Sequence, residues 1–265
     1  ILYIYIYIYM KLDCVLTAVN ENKLYIDFIP IFIKTWNKLY PDVDVKIVLI
    51  AKSIPKDFLL YKKNIILFEP IENVLTSFTA QFIRLLYPCI LNYKNGVMIT
   101  DMDNLPMNNT YYTKNIEHIS NNKWINLRDW RTRNQICMMW QVAIPETWKQ
   151  VFNIENLQDI KNTLVSVYSK INYVNGSKKG AWFTDQIFLY KKVMKWNETT
   201  KNYIFLKDSE TKHKRLNRSK CNISDVNVRK NIVSGKYSDY HCCRPMSKHY
   251  KKNWEIYNLL DSNKK

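Results

Sequence analysis

The stretch VMITDMDN, from Val97 to Asn104, decides the reading of this chain. Four apolar or β-forming residues, Val97 to Thr100, make a short buried strand, and that strand delivers two carboxylates, Asp101 and Asp103, at its carboxyl end. A spacing of two puts both side chains on the same side of an extended segment. Two carboxylates so placed can hold a hard divalent cation that also bridges a diphosphate, as Mg²⁺ or Mn²⁺ sites do with one or two carboxylates plus substrate oxygens. A lone D-x-D is common in proteins. Its position at a strand end is what gives it meaning here.

Upstream of this stretch, strands and helices alternate. Leu12 to Val19 reads as a buried first strand. Ile26, Ile29, Ile33, Trp36 and Tyr40 recur at helical spacing, with Pro30 in the first turn, where proline is tolerated, and Pro41 beyond the end. Val45 to Ile50 is a second strand and Ile65 to Phe68 a third. Ser77 is placed to cap a helix with an inward face of Phe78, Phe82, Leu85 and Cys89. The fold class implied is α/β, a mainly parallel Rossmann-like sheet flanked by helices, with ligands at the carboxyl ends of the strands. Residues 17–20, 51–53, 69 and 101–104 are therefore the ones to inspect.

Downstream the pattern is less regular. Ile136 to Val142 reads as a strand, and Pro145 to Phe152 as a helix. Leu157, Ile160, Leu164, Val167 and Ile171 mark another helix, and Phe183, Ile187, Tyr190 and Met194 a further one. Asn175 to Gly180 is a loop, and Lys207 to Lys236 reads as a long, polar, partly disordered loop. The chain divides into a leader (1–9), a single catalytic domain (10–245; nucleotide-binding half 10–104, acceptor half 105–245) and a basic helix or tail (246–265). The Ile/Tyr alternation of Ile1 to Tyr9 matches translated TATATA repeat, with Met10 as the start. It is too short to span a bilayer and lacks a cleavage site. The abundance of Lys, Asn, Ile and Tyr fits an AT-rich genome such as that of a large virus.

Composition narrows the chemistry further. The chain has 265 residues and only 4 glycines, and contains no GxGxxG or P-loop, so a nucleotide must be held without a glycine-rich cradle. Net charge is +17, and residues 207–265 carry fifteen Lys and Arg against six Asp and Glu, a net +9. Such a surface attracts phosphate, nucleic acid or anionic membrane, and charge alone does not choose among them. The six cysteines form no CxxC pair and read as free thiols of a reducing, cytoplasmic compartment, which makes the sequons at Asn108, Asn197 and Asn217 coincidental.

Several short motifs, in order, resemble the retaining GT-A glycosyltransferases of the glycogenin and lipopolysaccharide galactosyltransferase type. They are Thr17-Ala18-Val19-Asn20 after the first strand, Phe82-Ile83-Arg84-Leu85, Asp101-Met102-Asp103, and Asp185-Gln186 within WFTDQIF. The resemblance implies that Thr17, Ala18 and Asn20 cradle the nucleoside and that Arg84 approaches the donor sugar. It further implies that Asp101 and Asp103 bind Mn²⁺ or Mg²⁺ on the diphosphate of a nucleotide-sugar, most simply a UDP-sugar, and that Asp185 and Gln186 face that sugar. A late histidine completes such a metal site, and His241 in SDYHCCRP is the candidate. The glycine and lysine usual after it are here Cys243 and Arg244. Arg244 can substitute as the diphosphate clamp, since its fork matches phosphate oxygens. The implied reaction is sugar transfer, with retention, to a glycan or protein acceptor.

Simpler readings accompany these. Arg84 fits a surface position on an amphipathic helix, and Asp185 fits a helix N-cap. His241 with Cys242, Cys243, Cys221, His213 and His249 invites a zinc site but lacks the paired spacing of one. Trp124, Trp130, Trp140, Trp148 and Trp182 fit core positions better than sugar platforms. The rival functions are a nucleic-acid binder or metal-dependent nuclease using the basic region, for which further strand-end carboxylates and a recognised motif are lacking, and a protein resting on anionic membrane.

Overall fold

The computed structural model describes residues 8–174 and 181–260. The first half runs β1 (Leu12–Asn20), α1 (Ile29–Leu39), β2 (Asp44–Ile50), β3 (Ile65–Phe68), α2 (Thr76–Ile83), β4 (Gly96–Ile99), β5 (Asn104–Pro106) and α3 (Tyr111–Lys114). Then come β6 (Trp124–Asn126), β7 (Arg131–Thr132), β8 (Gln135–Ile136), β9 (Gln141–Ala143), α4 (Pro145–Phe152), α5 (Leu157–Tyr168) and α6 (Thr184–Thr200). The chain finishes with β10 (Tyr203–Phe205), α7 (Asp208–Thr211), β11 (Arg215–Asn217), α8 (Val226–Val233), β12 (Asp239–His241) and α9 (Met246–Leu259).

The central sheet has the order β10-β6-β9-β4-β1-β2-β3. Strands β3, β2, β1 and β4 are parallel neighbours, and β9 runs antiparallel to both β4 and β6. β1 lies in the middle and is buried on both faces, which is why its sequence is a near-continuous apolar run. Its alternate residues feed two separate cores. Val15 and Val19 join Ile47, Leu49, Met98 and the α1 stripe Ile29, Phe32, Ile33 and Trp36 on one face. Cys14 and Leu16 join Val48, Ile50, Val97, Ile99 and the residues of α2, α4, α5 and α6 on the other. A mainly parallel sheet covered by helices on both faces is thus the architecture that the β/α alternation implied. At Gly96 a side chain would collide, because an added Cβ would sit 2.9 Å from Met10 Sδ and 3.0 Å from Lys11 O.

A second sheet, β11-β12-β5, stands beside the first. One of its strands, β11, comes from the stretch that reads as a loop, and it corrects the sequence reading. Lys207 to Lys236 is not a structureless loop. It contains α7, β11 and α8, the last capped by Asp225, whose side chain accepts from Asn227 N and Val228 N. Other expectations change in detail. Ser77 does not cap α2: Leu75 takes the N-cap position without a side-chain bond, and the helix ends at Ile83, so Leu85 and Cys89 lie beyond it although both are buried. Ile136 to Val142 is not one strand. The chain turns at Cys137–Trp140, where Gln141 Nε2 donates to Cys137 O at 2.6 Å, and pairing resumes in β9. The most deeply buried residues of α6 are Asp185, Leu189 and Val193, rather than Phe183, Ile187, Tyr190 and Met194.

Ile8 and Tyr9 run beside residues 119–121: Tyr9 bridges Ser120, and Asn121 N donates to Ile8 O at 2.9 Å. The rest of the expected leader, the loop at 175–180 and the last residues of the basic tail fall outside the described residues. All six cysteines are free and buried, and burial pushes the Cys14 thiol up to about 12. No helix among the described residues is long and apolar enough to cross a membrane.

Candidate active site

A cleft of about 260 Å³ opens at the carboxyl ends of β1 and β4, and residues from widely separated parts of the chain line it. From β1 come Ala18, Val19 and Asn20, with Asn20 Nδ2 tied to Thr76 Oγ1 at 3.1 Å at the start of α2. Thr17 does not line it; its side chain is wholly buried within β1. Gln81 and Arg84 come from α2 and its end, Asp185 and Gln186 from the first turn of α6, and Cys137, Met138 and Met139 from the turn that interrupts the expected strand.

Asp101 and Asp103 both face this cleft, but not by the geometry expected. The segment turns rather than extends: Asn104 N donates to Asp101 O at 3.1 Å, so the two carboxylates are brought to one side by a tight turn between β4 and β5. The turn is anchored by Thr100, whose backbone N donates to Leu16 O at 3.0 Å and whose Oγ1 accepts from Trp140 Nε1 at 2.9 Å.

Strand pairing explains how His241 reaches this turn from the far end of the chain. β12 runs antiparallel to β5 with His241 opposite Asn104, and Cys242 N donates to Asp103 O at 2.9 Å. His241 Nε2 consequently lies 3.8 Å from Asp103 Oδ2. β11 lies parallel to β12 with Asn217 opposite His241, which sets Arg218 at the same edge. Arg218 Nη2 donates to Asp103 Oδ2 at 2.7 Å and also to His241 Nε2. A guanidinium can only donate, so Nε2 serves as the acceptor in this contact. Burial, reinforced by Arg218 and Arg215 and opposed by Asp103, holds the imidazole below its ordinary value.

The remaining charges are distributed over few partners. Arg84, with its side chain 12% exposed, bridges Asp101 and Asp185, lying 3.6 Å from Asp185 Oδ2. Burial alone would raise the Asp101 carboxyl, but Arg84 outweighs it and holds Asp101 below the usual carboxylate range. Asp185 is 2% exposed, and there burial wins over Arg84 and the Gln186 NH, pushing it up to about 6. Asp185 lies inside the first turn of α6 rather than at its N-cap, Phe183. Arg244 reaches Asp103 Oδ2 at 3.3 Å, and its guanidinium lies 5.0 Å from the Tyr25 ring centroid, donating to the Tyr25 hydroxyl. Gln186 Oε1 is buried without a protein donor, an acceptor left over in the wall of the cleft.

The sequence reading missed Tyr25, Gln81, Tyr173, Arg215 and Arg218. Gln81 joins two walls: its Nε2 donates to Trp182 O at 2.6 Å and its Oε1 accepts from Tyr173 Oη at 2.9 Å. Arg215 is fixed by the fully buried Asp239, at 2.6 Å, and Asp239 also meets His213 Nε2 at 2.9 Å. Of the tryptophans, Trp124, Trp140 and Trp148 are core, Trp130 is exposed, and Trp182 lines the cleft.

Asp103 and His241 suit a cation, since 3.8 Å is spanned by two bonds of roughly 2.1 Å to one ion. Asp101, however, is held by Arg84. Among the described residues no three His, Cys, Asp or Glu side chains converge on one point, which also applies to the zinc reading of Cys221, Cys242 and Cys243.

Compared with solved structures, the backbone aligns with glycosyltransferase GlyE of Streptococcus pneumoniae TIGR4 at a TM-score of 0.51 and 13% identity, over 95% of this chain and 62% of that one. The fold is GT-A. The galactosyltransferase LgtC, solved with donor and acceptor sugar analogs, aligns at a TM-score of 0.48 and 11% identity, over 94% of this chain and 96% of that chain. No family model matches the sequence, and a search of curated proteins finds no match. In a GT-A fold the strand-end position of the cleft is where an α/β sheet binds its ligand, and this is where the charged residues gather.

Proposed function

We propose that this chain is a glycosyltransferase that takes a sugar from a nucleoside-diphosphate sugar, a UDP-sugar being the first candidate, and passes it with retention to a hydroxyl of a glycan or protein. The observation that carries the reading is the meeting, in one strand-end cleft of a GT-A fold, of Asp101 and Asp103 with His241, Arg84, Arg244 and the Asp185–Gln186 pair.

In this reading Ala18 and Asn20 hold the nucleoside at the end of β1. Arg244, steadied on Tyr25, clamps the diphosphate through its fork. Asp103 and His241, with Asp101 released from Arg84, would hold Mn²⁺ or Mg²⁺. Such an ion supplies charge neutralisation for the departing nucleoside diphosphate. Asp185, kept in place by Arg84 and the Gln186 NH, accepts hydrogen bonds from sugar hydroxyls. Gln186 Oε1, which lacks a protein donor, faces the sugar as a further acceptor. Buried Met138 and half-buried Met139 and Trp182 line the cleft, and their apolar side chains would limit access of water to the donor.

The nucleic-acid alternative is not favoured. Three of the arginines in the basic region, Arg215, Arg218 and Arg244, turn inward onto Asp239 and Asp103 instead of forming an outward stripe. A thermal-shift panel of nucleotide-sugars with Mn²⁺ or Mg²⁺ tests the reading. A matching donor at 100 times its Kd should add about 2.7 kcal/mol to stability. No shift with any donor would sink it.

A further inference from the structure

Arg218 occupies an unusual seat. One of its nitrogens touches both Asp103 Oδ2 and His241 Nε2, the two groups spaced to share a cation. A second nitrogen of the guanidinium, Arg218 Nε, is buried without an acceptor. A buried donor left unpaired is costly, so the seat is not built as a permanent structural one. Arg215, three residues earlier, shows the contrast: its Nε is bonded at 2.6 Å to Asp239, which is completely buried. Charge adds a second argument. Asp103 already faces Arg218 at 2.7 Å and Arg244 at 3.3 Å, two cations on one carboxylate. A divalent ion entering beside both would meet two like charges at close range, whereas an ion replacing Arg218 would meet only Arg244.

We infer that Arg218 is an internal stand-in for the divalent cation: it holds Asp103 and His241 together in the metal-free protein, and metal binding displaces it. Arg218 begins the turn that follows β11, so the side chain can leave without disturbing strand pairing. Metal entry is then a competition, and the apparent affinity for the ion is lowered by the fraction of molecules in which Arg218 is seated. The inference rests on the cation site proposed above, and the test separates the two.

The full-length protein is titrated with Mn²⁺ alone, without donor, and free ion is followed by its electron paramagnetic resonance signal. If Arg218 is seated about nine-tenths of the time, Arg218→Met should bind Mn²⁺ about tenfold more tightly than wild type. Arg218→Lys, which keeps the charge but not the fork, should fall between the two and covers the case in which the methionine variant misfolds. Arg244→Met removes a neighbouring charge, 3.3 Å from Asp103, for which no contact with His241 is seen, and should gain less than Arg218→Met. Equal affinities for wild type and Arg218→Met would overturn the displacement, and so would an equal gain from Arg244→Met. Either result leaves the cation site standing if Asp103→Asn abolishes binding. Absence of Mn²⁺ binding in every variant would overturn both the site and the inference.

Discussion

Asp185→Asn should make the protein more stable and less active, with the gain in stability growing as pH rises. Asp185 is 2% exposed in the first turn of α6, and its charge is supported by Arg84 at 3.6 Å, the Gln186 NH at 2.8 Å and the Gln81 side chain. Burial dominates and raises its carboxyl from 3.8 to about 6. Below about pH 4 the group is protonated in both folded and unfolded chains. Between about 4 and 6 the unfolded chain releases the proton while the folded chain keeps it. Because the folded value is the higher one, the stabilisation present at low pH is lost as pH rises through the folded value. Two units correspond to about 3 kcal/mol. Asparagine mimics the protonated form and never ionises. Urea unfolding followed by tryptophan fluorescence from pH 4 to 8 should therefore show the variant's advantage over wild type growing by about 3 kcal/mol across that range. Donor turnover should fall at the same time, the signature of a buried charge kept for function at a cost in stability. A stability difference that stays flat with pH, or that shrinks, would refute the reasoning.

Three further outcomes follow from the geometry. Asp103→Asn, close to wild type in volume, should lower metal-dependent donor hydrolysis by about a hundredfold or more, measured beside circular dichroism to show that the fold persists. Asp239→Asn leaves Arg215 and His213 short of their shared, fully buried partner, and urea unfolding should show a loss of about 3–5 kcal/mol. Gly96→Ala forces a Cβ to within 2.9 Å of Met10 Sδ and 3.0 Å of Lys11 O, so it should cost about 1–3 kcal/mol by the same assay.

How much of this was legible beforehand depended on how locally each feature is determined. β1, β2 and β4 are buried on both faces or nearly so, and burial writes itself into sequence as uninterrupted apolar runs. The α1 stripe and the Pro145 start of α4 are likewise local signals. The strand-end position of Asp101 and Asp103 followed from β4 alone, although their turn did not, because a turn and an extended D-x-D have the same residues. β11 and β12 have three residues each, too few for a period to show. Their pairing is set by β5, more than a hundred positions away. Arg218 is invisible for that reason. Nothing around it distinguishes it from its basic neighbours until the parallel register with β12 brings it to His241.

α6 shows a different kind of failure. Its apolar residues were assigned to one inward face, yet the most deeply buried positions are Asp185, Leu189 and Val193, and the apolar residues of the expected face are only partly buried. A charged residue at a core position runs against hydrophobic patterning, and such conflicts concentrate at functional sites. Asp185 was found through the D-Q pair rather than through periodicity.

The central claim is that the cleft transfers sugar from a nucleotide-sugar donor. It is tested most directly by incubating wild type and Asp103→Asn with a panel of UDP-, GDP-, CMP- and other nucleotide-sugars, with and without Mn²⁺, and measuring the released nucleotide. The account predicts that at least one nucleoside-diphosphate sugar is cleaved slowly even without an acceptor, that this requires the divalent ion, and that Asp103→Asn abolishes it. Release from no donor by a folded wild-type protein, together with salt-sensitive binding to nucleic acid, would contradict it.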